Sequence, residues 1–342
     1  MELSAFKEKL KTGNLRGWYI FSGEEDYLKK HYLAWLRSAV LTDETFALFN
    51  HTVYDGQDIN FQDVSEAIKS PPMMCDYKLI EWQFANLESL KDGEKQALLN
   101  LFSLKEDYPC AIFVIMTTKE GLDVSNPNRP SKLVSSLSSG FDIITFSKST
   151  DSQLASWMKR HFDAEGLAID MQTAQAMLFR VGHSMDTLAL EIDKLSAFAK
   201  ARGEKTITRE MVDEVTSSTI ECDAFALSNA ITEKNVEKAF LALSDLKARR
   251  VEPFTVIAML ERSYAELLSV SLLLSEGKEA KDIEGILKMH PFKTKLAINA
   301  AKKLGKSRIS SALNGIRRID SEAKSGGSGG YRAIEIFITQ NI

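Results

Sequence analysis

The chain has 342 residues, of which 44% are hydrophobic and 26% are charged, and its formal net charge is -4. This composition is typical of a globular protein long enough for two or three domains, each with its own core. It excludes binding to nucleic acid through overall positive charge, so any contact with DNA must come from a local basic patch.

The sequence lacks targeting and metal-binding signals. Its N-terminal stretch is amphipathic and bears lysines, and no run of about 18 apolar residues occurs, so we expect no secretory signal and no membrane contact. The three cysteines, Cys75, Cys110 and Cys222, lie far apart without a CxxC spacing, and the five histidines are scattered. We therefore expect a cytoplasmic protein with reduced thiols, no metal site, no cofactor and no catalytic residues.

The first 146 residues alternate between strand-like and helix-like segments. The five strand candidates are rich in branched and aromatic residues and lie at 18–21, 49–54, 78–82, 111–116 and 142–146. The helix candidates between them lie at 27–41, 61–69, 93–104 and 131–137. This alternation predicts a parallel sheet with helices on both faces.

From Thr150 onward the strand pattern stops, and the rest of the chain is predicted to be helical. A small unit is predicted to hold four helices, at 152–165, 171–181, 185–201 and 208–215. The C-terminal region is predicted to hold seven, at 223–230, 235–248, 252–276, 281–288, 294–304, 307–324 and 331–340. SGGSGG at 325–330 is interpreted as a flexible loop. The sequence thus predicts an α/β plus all-α protein with domains at 1–148, 149–217 and 218–342.

The first strand candidate runs into a segment that resembles the phosphate loop G-x-x-x-x-G-K-[ST]. The first glycine and the lysine match, but a leucine replaces the second glycine and a lysine replaces the Mg²⁺-binding hydroxyl residue. Three successive acids at the predicted helix start compete with phosphate for the same N–H groups. We interpret the loop as degenerate and expect no ATP hydrolysis. The positions that define it are Gly23, Glu24, Glu25, Asp26, Leu28, Lys29 and Lys30.

Two segments are candidate interaction surfaces. In SPPMMC at 70–75, two prolines end the preceding helix, so Pro72, Met73 and Met74 form either an exposed apolar knuckle or part of the core. The residues alone favour the core. Residues 285–319 contain nine Lys or Arg and no acid. There Lys295, Lys302 and Lys303 lie near one helical face, either as DNA phosphate contacts or as a solvated or intersubunit surface.

Several motifs, in this order along the chain, resemble those of bacterial DNA polymerase III delta subunits. They are F-S-G-E-E-D-Y-L-K-K at 21–30, V-G-H-S-M-D-T-L-A-L-E-I-D-K-L at 181–195, D-A-F-A-L-S-N-A-I at 223–231, M-H-P-F-K at 289–293 and R-R-I-D-S-E-A-K-S-G at 317–326. The resemblance covers nearly the whole chain. One departure is Ser184, which stands where the family carries Asp.

The resemblance implies a RecA/AAA+-like domain, a helical lid and a helical collar that oligomerises. It implies a nucleoid-associated, non-catalytic clamp-loader subunit that holds the sliding clamp (beta) open for loading onto primed DNA. Its partners would be delta prime and tau/gamma within the DNA polymerase III holoenzyme. It also implies that Met73 and Met74, after Pro72, enter the hydrophobic pocket of the clamp, which reverses the interpretation from the residues alone. The alternatives are an AAA+ ATPase, a helical scaffold, or delta prime, whose zinc-module cysteines are not found.

Overall fold

The computed structural model describes residues 1–56, 59–126, 128–324 and 330–342. These residues form two compact units, Met1–Ser149 and Thr150–Ile342. No helix in the described ranges is long and apolar enough to cross a membrane. The loop predicted at 325–330 lies, apart from its last residue, outside the described residues. The division of the second unit at residues 217 and 218 stays a prediction.

The first unit is built on a five-stranded parallel sheet. Its strands are β1 Trp18–Ser22, β2 His51–Asp55, β3 Lys78–Ala85, β4 Ala111–Thr117 and β5 Asp142–Thr145. They lie in the order β2-β3-β4-β1-β5, and all four pairings are parallel. The inner strands β1 and β4 are buried along their whole length, as expected of strands covered on both faces. β2 lies at the edge and is partly exposed. The predicted fold class is confirmed.

Helices cover both faces of this sheet. They are α1 Leu3–Thr12, α2 Asp26–Val40, α3 Glu44–Asn50, α4 Phe61–Lys69, α5 Asp92–Asn100, α6 Leu104–Asp107 and α7 Lys132–Leu137, with a 3₁₀ turn at Leu101–Ser103. Side chains alternate along a strand, so Trp18 and Ile20 of β1 join the core on one face, and Tyr19 and Phe21 join the core on the other.

Three helices of this unit were not predicted, and of these the short α6 shares only Leu104 with the helix predicted at 93–104. α1 is an amphipathic helix that places Phe6 in the core. α3 occupies residues that were partly assigned to a strand at 49–54, so that boundary is wrong. The Asp43 side chain accepts a hydrogen bond from the backbone N–H of Thr45 at 2.8 Å and starts α3. Because α3 runs to Asn50, Phe49 is helical and the strand begins at His51.

The second unit is mainly helical. Its helices are α8 Asp151–Ala164, α9 Met171–Val181, α10 Met185–Ala201, α11 Arg209–Val215, α12 Ile220–Thr232, α13 Val236–Ala248, α14 Pro253–Ser275, α15 Ala280–Leu287, α16 Pro291–Lys324 and α17 Tyr331–Asn341. α16 is interrupted at Gly305, whose φ of 75° and ψ of 155° are not helical. The two helices predicted in this stretch therefore meet at that glycine.

The prediction that strands stop after Thr150 is wrong. β6 Ala168–Ile169 and β7 Thr206–Ile207 form a short parallel pair. Each strand has only two residues, which is too short to produce the alternation from which strands are recognised in a sequence. The pair joins the connection after α8 to the connection after α10.

Candidate functional site

The lysine that matches a phosphate-loop lysine, Lys29, is buried and already fully bonded. Its ammonium donates to the carbonyl oxygens of Gly23 and Thr117 at 2.9 Å each. It also pairs with Asp26 Oδ1 at 2.8 Å. An ammonium has three N–H donors, so these three acceptors use all of them. Lys29 has no donor left for a phosphate.

The three acids of this segment are not all on the helix, which corrects the prediction. α2 begins at Asp26, so only that carboxylate lies in the first turn, while Glu25 precedes the helix and is buried. Glu24 is exposed and pairs with Lys119 at 3.6 Å and with Lys148 at 3.5 Å. Two of the acids thus pair with lysines around the loop, Asp26 with Lys29 and Glu24 with Lys119 and Lys148.

Two other positions of the loop, Gly23 and Leu28, have structural roles. Gly23 has a φ of +111°, and a Cβ at this residue would lie 2.3 Å from the carbonyl oxygen of Phe146. Leu28, at the place of the second glycine, packs against the core, and Lys30 is exposed. Within the described ranges, no group of three His, Cys, Asp or Glu side chains is placed to hold a metal ion.

The loop between α4 and β3, residues 70–75, is called the methionine knuckle below. Met73 is 47% exposed and Met74 is 79% exposed, so neither side chain belongs to the core, and Pro72 is half-buried. Met74 has a φ of 55°, a left-handed conformation that is uncommon for a residue with a side chain. Contacts elsewhere in the unit must therefore hold the knuckle in this shape.

Asn50, the last residue of α3, makes the principal contact. Its Nδ2 donates to the carbonyl oxygen of Met73, and the backbone N–H of Met73 donates to its Oδ1, each at 2.7 Å. The asparagine is fully buried, so both bonds are partly shielded from water. At the other side of the knuckle, buried Lys78 donates to the carbonyl oxygen of Ser70 at 3.0 Å. Burial lowers the pKa of Lys78.

Two more exposed apolar side chains directly precede Asn50. Leu48 is 83% exposed and Phe49 is 60% exposed. This pair was not predicted, because Phe49 was assigned to a strand, where alternation would have turned it toward one face of the sheet. The signal that could have revealed it is Asp43, a residue type that favours helix N-caps.

His51, the residue that follows Asn50, contacts the buried carboxylate of Glu81 in β3. Glu81 accepts hydrogen bonds from Arg37 Nε at 2.6 Å and Arg37 Nη2 at 2.5 Å. His51 Nε2 and Gln83 Nε2 each lie 2.9 Å from its carboxylate oxygens. Burial raises the pKa of Glu81, but the hydrogen bonds from Arg37, His51 and Gln83 and the charge of Arg37 outweigh it and lower the pKa to about 2. This network ties α2 and β2 to β3.

The basic residues of α16 divide into paired and unpaired groups. Lys293 pairs with Glu266, and Arg317 pairs with Glu261. The three lysines singled out from the sequence are exposed, and none forms an ion pair with any residue that the structure describes; they are Lys295, Lys302 and Lys303. All three precede the break at Gly305. They belong to the second unit, whereas the methionine knuckle belongs to the first.

Two family models match the chain. The model of the DNA polymerase III delta subunit matches residues 19–136, and the model of the C-terminal domain of that subunit matches residues 221–341. Together they match more than half of the chain. The chain belongs to the DNA polymerase III delta subunit family. This confirms the resemblance inferred from the motifs.

Similar proteins agree with the delta assignment. DNA polymerase III subunit delta of Bacillus subtilis is 23% identical over 337 residues, which cover 97% of this chain and 95% of that protein. Probable DNA polymerase III subunit delta of Aquifex aeolicus is 23% identical over 321 residues, covering 90% and 85%. The solved structure of a Bacillus subtilis DNA clamp loader delta protein covers 98% of both chains, with a TM-score of 0.55 and 21% identity. This structural similarity supports the fold.

Proposed function

We propose that this chain is the clamp-loader subunit that binds the sliding clamp and holds one clamp interface open, without hydrolysing ATP. The observation that carries the proposal is the methionine knuckle, in which two adjacent exposed methionines stand on a backbone fixed by Asn50. Flexible, polarizable methionine side chains suit an apolar pocket on a partner. A fixed backbone reduces the ordering that binding requires.

The degenerate phosphate loop supports the non-catalytic part of the proposal. Lys29 gives all its donors to acceptors within the chain. The end of β3, where a Walker B strand carries acids, reads Gln83-Phe84-Ala85. The energy for loading would then come from delta prime and tau/gamma partners. This chain would contribute through its higher affinity for the open clamp than for the closed one.

The unpaired lysines of α16 support a second contact, with primed DNA. Lys295, Lys302 and Lys303 are exposed and have no acid partner among the described residues, so their charges are available to phosphates. In contrast, Lys293 and Arg317 are neutralised by glutamates. Each lysine that binds a phosphate releases counterions and adds to the salt dependence of binding.

The test is binding of the purified chain to its cognate sliding clamp. We expect Met73→Ala/Met74→Ala to weaken binding by about 2 kcal/mol or more, roughly 30-fold, as for an interface hot spot. The matched control is Met171→Ala/Leu190→Ala, which removes two side chains of the second unit that are 46% and 65% exposed. Equal binding by wild type and the knuckle variant would place the site elsewhere. No binding by the wild type would refute the proposed function.

A further inference from the structure

Exposed apolar side chains occur in the last turn of α3 as well as in the knuckle. Of the large apolar side chains that the structure describes, the two most exposed are Leu48 at 83% and Met74 at 79%. Leu48 lies in the last turn of α3, and Met74 lies in the knuckle. Single exposed apolar residues are ordinary, but several together mark an interaction site.

Asn50 joins the two segments physically. Its side chain bonds both backbone polar groups of Met73 at 2.7 Å. Leu48 and Phe49 precede it by two residues and one residue. The same amide group also donates to the carbonyl oxygen of Phe46 in α3 at 3.2 Å. The last turn of α3 and the methionine knuckle therefore form one locally fixed structure.

Both segments also lack charge. Residues 45–50 read TFALFN and residues 70–75 read SPPMMC, with no acidic or basic side chain in either. Charged residues are depleted from the cores of protein interfaces, whereas aromatic residues and methionine are enriched. The absence of charge from both segments therefore matches the composition of a protein interface.

We propose that Leu48 and Phe49 are the second half of the clamp-docking surface and contact the apolar surface of the clamp together with Met73 and Met74. The proposal rests on the proposed function and commits to the same partner. Phe49 supplies what the knuckle lacks, because a phenylalanine has two side-chain torsions and loses less rotamer freedom on binding than a methionine. The rigid ring anchors the contact, and the methionines adapt to the pocket.

The experiment measures clamp binding by the full chain in three variants beside the wild type. Leu48→Ala/Phe49→Ala tests the inference, and Met73→Ala/Met74→Ala tests the proposed function. The matched control is Phe240→Ala/Leu241→Ala, which removes an adjacent phenylalanine and leucine from α13, 36% and 62% exposed. Alanine is the strongest helix former, so the first variant preserves α3. Urea midpoints equal to that of the wild type would confirm this.

We expect the α3 variant to lose at least about tenfold in clamp affinity, mostly through faster dissociation, with the control unchanged. The inference is overturned if the α3 variant binds like the wild type while the knuckle variant is weak, and the proposed function then stands. It is also overturned if the α3 variant and the control lose affinity equally. A wild type that does not bind the clamp refutes the function itself.

Discussion

The substitution Glu81→Gln tests whether the buried carboxylate stabilises the first unit. Glutamine has nearly the same shape but no charge, so it keeps the volume of the side chain and removes the ion pair with Arg37. The side chain of Glu81 is 1% exposed, whereas that of Arg37 is 36% exposed. After the change, Arg37 can turn toward water. The cost therefore comes mainly from the lost interactions of the carboxylate.

The pKa of Glu81 sets the magnitude. The ordinary value for this carboxyl is 4.5, and in the folded chain it is about 2. Since each pKa unit is worth about 1.4 kcal/mol, the network contributes roughly 3 kcal/mol at neutral pH. The unfolded chain binds the proton first as the pH falls. The contribution is thus complete above pH 5 and is lost between about pH 5 and pH 2.

Urea unfolding followed by tryptophan emission measures this effect. In a Trp157→Phe background, the three remaining tryptophans all lie in the first unit, at residues 18, 35 and 82. We expect Glu81→Gln to unfold more easily by roughly 3 kcal/mol at pH 7, with the difference from the parent unchanged down to about pH 5 and shrinking from there toward pH 3. Glu24→Gln, which changes an exposed ion pair, should cost under about 1 kcal/mol. A difference for Glu81→Gln that stays constant from pH 7 to pH 3 would refute the reasoning.

Two further predictions concern the phosphate-loop segment and α16. Gly23→Ala should destabilise the first unit by about 2 kcal/mol or more in the same urea assay, because the φ of Gly23 is +111° and the added Cβ would lie 2.3 Å from a backbone oxygen. The control is Gly93→Ala, whose added Cβ would have nothing within 4 Å. Equal stability of the two variants would contradict the prediction. Replacing Lys295, Lys302 and Lys303 with alanine should lower the DNA affinity of the assembled loader and flatten its salt dependence by up to about three counterions. An unchanged salt slope would refute the DNA contact.

The periodicity of the sequence was sufficient to predict the sheet, because β1 and β4 are buried along their whole length and consist mainly of branched and aromatic residues. α3 was missed because the apolar residues that precede Asn50 have the composition of a strand and the helix is only seven residues long. Helices of this length depend on a cap and on tertiary contacts more than on propensity. β6 and β7 were missed for a similar reason, since each has two residues.

Exposure of the knuckle could not be predicted from its own residues. Met73 and Met74 are apolar, and the residues alone favoured burial. The bonds that fix the loop come from Asn50, which is 23 residues away in the sequence. The partners of Glu81 are likewise distant, at 44 residues for Arg37 and 30 for His51. The resemblance to a family supplied the expectation of exposure, because it carries information about a partner that the residues do not contain.

Two adjacent residues, Asn50 and His51, make the polar contacts that connect the knuckle with the sheet. Asn50 holds the backbone of Met73, and His51 contacts the buried carboxylate of Glu81. The knuckle is thereby connected to the core of the sheet by a short path. A subunit that keeps a closed ring open must hold its contact against the tendency of the ring to reclose. A mobile loop could follow the clamp as it recloses, and its affinity would then be similar for the open and the closed clamp. A loop fixed to the sheet cannot follow, so its affinity for the open clamp stays higher than for the closed one. On the proposed function, the buried network therefore serves the exposed contact.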